Sequence, residues 1–365
     1  MRITAARAEL YAWKAMAPLS YGGGVANATG GSDVALLTIE ADGVEGHAFL
    51  GSPMRPGSLD LPSLRRDVLP GLIGADALAR EAIHGRLMNW ARGVFGWRVV
   101  GAVDVALWDL MGKAAGLPLH RLLGGARASI PAYASSQKLP DAAAYAAQAR
   151  ASRAAGYAGY KLHPPGDPGR DIAVCEAVRD VVGPDYPLML DAGFAYDYPG
   201  ALRVGRALER LGFLWLEDAL DAHDVAHAAE LRAKLDIPVM ATEQSPGGLT
   251  AYAPWVAARA TDWLRGDTAL KGGLTPLVKA AGMAEAFGLG LAIHHGGNSV
   301  HNLAGLHLAL ASPAADWFEV LLPADTHRFG LVREPALRDD GSIAPPDGPG
   351  LGAVPDRAAL GTPIG

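Results

Sequence analysis

The stretch PLMLDAGFAYDYPGALRVGRALERLGFLWLEDALDAHDVAHAAELRAKLDIPVMATE, residues 187–243, decides the fold. Three apolar runs within it, PLMLD, FLWLE and PVMATE, end in Asp191, Glu217 and Glu243, acids that follow one another at intervals of 26 residues. Each run is short and continuously apolar, as a strand of a parallel sheet buried on both faces must be, and the segment after it has helical composition. The repeat is therefore one strand-helix unit. In a closed barrel of such units the carboxyl ends of the strands carry the site, so the three carboxylates fall on one rim. Convergent carboxylates repel unless a cation sits between them.

The same rhythm extends in both directions. From about Ala128, eight strand candidates follow in order: SIPAYAS, GYKLH, PLMLDA, FLWLED, PVMATE, DWLRGD, LGLAIH and WFEV. Alanine-rich helical stretches such as DAAAYAAQARASRAAG and PLVKAAGMAEAFG run between them. Eight strands with seven intervening helices make a (β/α)7β variant of the (β/α)8 barrel, an α/β fold, over residues 126–322. Residues 1–125 read as an α+β capping domain. Two alternating runs, ITAARAELYAW and VALLTIEADG, flank the glycine-rich YGGGVANATGGSD, and helical patterns follow through GAVDVALWDLMGKAAGLPLHRLLGG. The tail, 323–365, is rich in Pro, Gly and Asp and is expected to pack back on the capping domain.

Composition bounds the function. The chain has 365 residues, half of them hydrophobic, and a net charge of -6 without a basic run. That balance gives no support to nucleic acid or membrane surfaces as partners, and a small anionic substrate would need local cations or a metal. No window approaches 18 uninterrupted apolar residues, and the N-terminus lacks a charged head followed by an apolar core, so a cytoplasmic protein is expected. The lone Cys175 lies in a helical pattern and reads as a buried structural thiol. Trp90 and Trp108, also in helical patterns, read as core.

Function concentrates at the strand ends. On the second barrel strand Lys161 and His163 are two apart, so the two-residue period turns both toward the barrel interior. The sixth strand ends in Asp267, the seventh in His294 followed by His295, and the eighth carries Glu319. Neighbours alternate along a strand, so only one of the two histidines should face inward, and position favours His294. A single acid at a strand end is usually a helix cap, but three at equal spacing ask for another explanation.

These residues and the GAVDVALWDLMGKAAGLPLHRLLGG segment resemble the mandelate racemase subgroup of the enolase superfamily, and within it the acid-sugar dehydratases. The resemblance covers nearly the whole chain. It implies that Asp191, Glu217 and Glu243 hold one Mg²⁺ per subunit, that Asp267 and His294 form a dyad, and that Glu319 matches the acid of strand eight. Lys161 and His163 fall on a Lys-x-Lys site whose second lysine is a base; here that position is histidine. A second departure is Gly193, where relatives often carry asparagine. The resemblance also implies a loop, near Tyr21, that closes over substrate, and a homo-oligomer, an octamer among the expected forms. Tyr133 and Ser135, at the end of the first barrel strand, complete the substrate-contact candidates.

The chemistry explains the combination. A proton α to a carboxylate is very weakly acidic, and its removal leaves a dianionic enediolate whose charge must be stabilised. A hard divalent ion on carboxylates does this, and Lys161 and Glu319 would add charge or hydrogen bonds. A free histidine, with an ordinary pKa of about 6.5, needs less help than lysine to accept a proton, so His163 is expected either as a neutral base or as a hydrogen-bond donor to substrate. A β-hydroxyl protonated by an acid could then leave, which is dehydration to a 2-keto acid. The same groups could run a racemase or epimerase. A cycloisomerase would be expected to carry lysine where Asp267 stands, a zinc amidohydrolase would need an HxH pair that SIPAYAS lacks, and a non-catalytic barrel would be expected to have lost a ligand.

Overall fold

The computed structural model describes residues 1–365 apart from 14, 15, 17, 23, 24, 28 and 29. Gly23 and Gly24 of the GGG run therefore lie outside the described residues. The capping domain opens with β1 (Ile3–Trp13), the short pair β2 (Leu19–Gly22) and β3 (Val25–Asn27), then β4 (Ser32–Ala41) and β5 (Val44–Leu50). β1, β4 and β5 form an antiparallel sheet in that order. The β4–β5 hairpin turns at Asp42 (φ 49) and Gly43 (φ 78), the Asp-Gly dipeptide that a primed two-residue turn requires.

The eight expected strands are present: β6 (Ile130–Ser135), β7 (Gly159–Leu162), β8 (Leu188–Asp191), β9 (Leu216–Glu217), β10 (Val239–Ala241), β11 (Trp263–Gly266), β12 (Gly290–Ile293) and β13 (Phe318–Leu321). They pair in parallel in sequence order, and β13 closes the barrel on β6. Seven helical segments cross between them. Four of these helices begin on an aspartate whose side chain accepts from the first turn: Asp141, Asp167, Asp197 and Asp224. Asn298 does the same for Ser299–Ala311. These caps satisfy N–H groups that the helix itself leaves open.

The helix Trp97–Ala114, which carries the GAVDVALWD motif, joins the two domains. A Cβ on Gly101 would lie 2.2 Å from the Thr268 carbonyl, so only glycine permits this approach to the barrel. Asp104 accepts from Thr275 N (2.8 Å) and Thr275 Oγ1 (2.6 Å), capping from outside the helix Leu274–Phe287. Asp109 accepts from His47 N and Leu351 N, both at 2.9 Å, and from Lys113 Nζ at 2.6 Å.

The tail divides its contacts. It meets the capping sheet through Ile364 N to Leu10 O (2.7 Å) and through Arg357 on Glu9 and Tyr11. It also adds β14 (Ser342–Ile343) antiparallel to β6, so it borders the barrel as well as the first domain. Cys175 is buried, and burial pushes its thiol well above the usual range. Trp108 is buried, but Trp90 is 48% exposed, which corrects its assignment to the core. Its helix, Arg80–Ala91, buries Ile83, His84 and Leu87 and turns Trp90 outward. No helix among the described residues is long and apolar enough to cross a membrane.

Candidate active site

The carboxyl ends of the barrel strands open into a cavity of about 440 Å³ lined by Asp191, Glu243, His163, Asp267 and His294, and by Tyr21 from the capping domain. One oxygen from each of Asp191, Glu217 and Glu243 lies within 4.8 Å of the others. Asp191 and Glu217 follow directly from strand periodicity, each two residues beyond an interior apolar side chain, Met189 and Trp215. Glu243 does not, since it stands three beyond the interior Met240. The backbone makes up the difference at Thr242, which has φ 91, an unusual conformation for a β-branched residue. Thr242 is held there by its hydroxyl, which donates to Arg265 O (2.9 Å) and accepts from Arg265 N (2.8 Å), and by Lys271 Nζ on its carbonyl (2.6 Å). Lys271 also reaches Ser245 O at 2.6 Å, and burial pushes its amine down to about 8 against the pull of Asp267, Glu243 and Asp218.

Two wholly buried cations stand among these acids. Lys161 Nζ lies 3.1 Å from Asp191, 3.0 Å from both Glu217 oxygens and 2.8 Å from Glu319. Arg265 pairs with Glu217, with Glu243 at 3.2 Å and with Glu319 at 2.7 Å. Neither Lys161 nor Glu319 lines the cavity; both sit beneath it. Burial alone would lower both cations, but the carboxylates outweigh it and hold them well above their usual values. Arg265 was not anticipated from sequence. Its one signal is LRGD, where it stands two before Asp267 and so shares the interior face.

The two imidazoles flank the acidic trio. His163 Nδ1 lies 2.6 Å from the Ser136 carbonyl, which puts a proton on Nδ1, and Nε2 faces Asp191 at 3.0 Å. On the other side, His294 Nδ1 lies 2.6 Å from Asp267 Oδ2, and Nε2 lies 3.7 Å from Glu243. Burial lowers His294, but the Glu243 charge and the Asp267 hydrogen bond raise it to about 9. Burial raises Asp267, yet its bond to His294 and the His294 charge, with Arg98 and the Leu270 N–H, hold it at about 2.

His295 also lines the cavity, contrary to the alternation argument, because β12 ends at Ile293 and both histidines lie beyond it. Burial and the neighbouring His294 push His295 down to about 4. Tyr21 donates to Leu322 O (2.8 Å) and contacts His327 Nε2 (2.7 Å). Gly193 lines the cavity at φ 56 and donates its N–H to Asp191 Oδ1 at 3.0 Å; asparagine tolerates the same left-handed backbone. Tyr133 and Ser135 are not among the lining residues. Tyr133 packs with Met189, Trp215 and Met240 in the layer below, and the Ser135 hydroxyl is buried without a hydrogen-bond partner among the described residues. Asp218, also unanticipated, lines the cavity; burial and the charges of Glu243, Asp191 and Glu217 push it well above the usual carboxylate range.

The trio suits a hard divalent cation: all donors are carboxylate oxygens, they converge, and two of the three, Asp191 and Glu243, line the cavity. Glu217 accepts from Lys161, Arg265 and Trp215 Nε1 (3.1 Å) and is fully buried, so Asp191 and Glu243, which line the cavity, are the readier ligands.

Known proteins carry the same architecture. Residues 14–124 match the family model of the mandelate racemase / muconate lactonizing enzyme N-terminal domain, and residues 144–359 match the enolase C-terminal domain-like family. The L-talarate/galactarate dehydratase of Salmonella typhimurium is 32% identical over 307 residues, covering 79% of this chain and 73% of that protein. The D-galactarolactone cycloisomerase of Agrobacterium fabrum is 31% identical over 348 residues, covering 89% of each. The crystal structure of D-glucarate dehydratase from Agrobacterium tumefaciens, complexed with magnesium, superposes with a TM-score of 0.89 at 33% identity over 99% of this chain and 98% of that one. The signature helix, the closed barrel and the strand-end carboxylates thus have one explanation: the chain belongs to the mandelate racemase / muconate lactonizing enzyme family of the enolase superfamily.

Proposed function

We propose that the protein is a Mg²⁺-dependent acid-sugar dehydratase, a carbon-oxygen lyase that removes the α-proton of a hydroxy-carboxylate, expels the β-hydroxyl and yields a 2-keto-3-deoxy acid. The observation that carries this reading is the pair of imidazoles, His163 and His294, at opposite ends of the carboxylate trio in one cavity. Relatives named as galactarate, glucarate and arabinonate dehydratases support it.

Asp191, Glu217 and Glu243 would hold one Mg²⁺ per subunit. When bound, the ion supplies a hard positive charge against the substrate carboxylate. His163, with Nδ1 committed to the Ser136 carbonyl, would supply Nε2 as the base for the α-proton once Asp191, which faces it at 3.0 Å, is taken up by the cation. His294 is charged near neutrality and is the acid for the departing hydroxyl, with Asp267 fixing its ring. Lys161 and Arg265 offset the negative charge from below and bridge the carboxylates. A cytoplasmic location and a homo-oligomeric assembly belong to the same proposal, to be checked by fractionation and light scattering.

A sugar-acid library assayed for 2-keto acid with and without Mg²⁺ tests the reading. Activity on at least one acid, lost in EDTA, is expected. Full activity in EDTA sinks the metal assignment, and α-deuterium exchange in D₂O without any keto acid turns the reading into an epimerase. The second reading is a cycloisomerase, which Asp267 on strand six had argued against. It is kept because two relatives named as cycloisomerases match 89% and 90% of this chain. Consumption of sugar lactones or anhydro acids in preference to open acids would favour it.

A further inference from the structure

We infer that Arg98 binds a second carboxylate, so that the acid sugar taken by this site is a dicarboxylic acid. The inference rests on the dehydratase reading and narrows its substrate class. Arg98 stands at the start of the helix Trp97–Ala114 and lines the cavity from the capping-domain side. Among the described lining residues it is the one lysine or arginine. Histidines apart, the other ionisable groups of that lining are acids and Tyr21, so nothing else there offers an anion a permanent countercharge.

Arg98 has no ion pair or side-chain hydrogen bond among the described residues, and the acids near it are already engaged. Asp60 holds Arg55 through two bonds of 2.8 Å each. Asp267 accepts from His294 Nδ1 (2.6 Å), Ala269 N (2.6 Å) and Leu270 N (2.7 Å). A largely desolvated guanidinium with five unmatched donors is costly, and a carboxylate taken in its fork offsets that cost. The trio and the imidazoles handle the reacting carboxylate of the substrate at the floor. A monoacid would leave Arg98 unmatched, whereas a diacid spans both. A cavity of about 440 Å³ falls within the range of small-molecule sites. The competing role for Arg98 is to support Asp267 through space, and the two roles give different kinetics.

The test uses the full chain with Mg²⁺ and compares a six-carbon diacid with the monoacid that differs only at C-6, galactarate against galactonate and glucarate against gluconate. A 6-phosphorylated monoacid serves as a third probe. Binding is read by calorimetry and turnover by keto acid, for the natural chain, Arg98→Lys and Arg98→Met, with folding checked by circular dichroism. The natural chain is expected to bind one diacid at least tenfold more tightly than its monoacid. Arg98→Met should raise both Kd and KM for the diacid at least tenfold, shift the monoacid less than twofold and change kcat little, with Arg98→Lys in between. Equal binding of diacid and monoacid, preference for the phosphorylated acid, no binding of any acid, or a fall in kcat on all acids at constant Kd would each overturn it. Diacid preference in binding without keto acid formation would uphold Arg98 while removing the dehydratase reading.

Discussion

Two groups of buried carboxylates differ in what holds them. On the connecting helix, Asp104 and Asp109 accept from backbone N–H groups of Thr275, His47 and Leu351, which cannot leave without undoing the fold. At the strand ends, Glu217 and Glu319 are matched chiefly by side chains, Lys161, Arg265 and Trp215. Both groups are hydrogen-bonded, as buried charge must be. The difference lies in what can be exchanged. A backbone partner ties two segments together, while a side-chain cation can share its carboxylate with an incoming ion. Acids of the first kind hold the domains; acids of the second kind make a site.

The sharpest way to break this division is Glu217→Gln. Turnover should fall by about 10³-fold or more, and Mg²⁺ binding measured by calorimetry should weaken in parallel. Retention of a tenth of the activity would place Glu217 with the structural acids. Asp104→Ala is the counterpart. It leaves Thr275 N without its cap across the domain boundary and should cost about 3 kcal/mol of stability, read in a denaturant melt, with turnover per folded molecule within threefold. A collapse of turnover in well-folded protein would erase the distinction.

The smallest effect concerns an acid of a third kind. Glu334 is partly buried and bonds the Ser299 hydroxyl, and burial pushes it up to about 7 against that bond and the charge of Arg328. Its folded value lies above its ordinary value of 4.5. Below that ordinary value both states carry the proton. Between there and about 7 the folded state keeps a proton that the unfolded chain has lost, so stability falls as pH rises through this window and then levels. Glu334→Gln should therefore raise the thermal midpoint at pH 8 by on the order of 2 kcal/mol in stability and leave it unchanged near pH 4.5. An equal gain at both values would mean that the carboxyl is not held protonated.

Much of this was legible beforehand. All eight barrel strands fall on the runs that the apolar pattern marked, because buried parallel strands demand continuous apolar residues of fixed length. Asp267 and His294 meet because β11 and β12 are neighbours in register, Gly266 opposite Ile293. Other features were out of reach. Arg265 shares a face with Asp267 by the two-residue period, but its ion pairs follow only when the barrel closes and brings Glu217, Glu243 and Glu319 around it. Tyr133 and Ser135 share a face with the site but lie too low on β6 to line the cavity, a matter of layer height that alternation does not encode. Trp90 depends on which side of its helix meets the barrel.

The chain by itself determined which segments become strands and which acids stand at their ends, since both are written in short-range period and composition. The direction of the decisive side chains was decided by tertiary structure. Glu243 reaches the trio through the left-handed backbone of Thr242, and that conformation survives because Arg265 and Lys271, 23 and 29 residues further along the chain, hold both sides of it. His294 and His295 both enter the cavity because the strand ends before them. Beyond the last ladder bond, periodicity no longer governs where a side chain points, and only contacts between distant segments can.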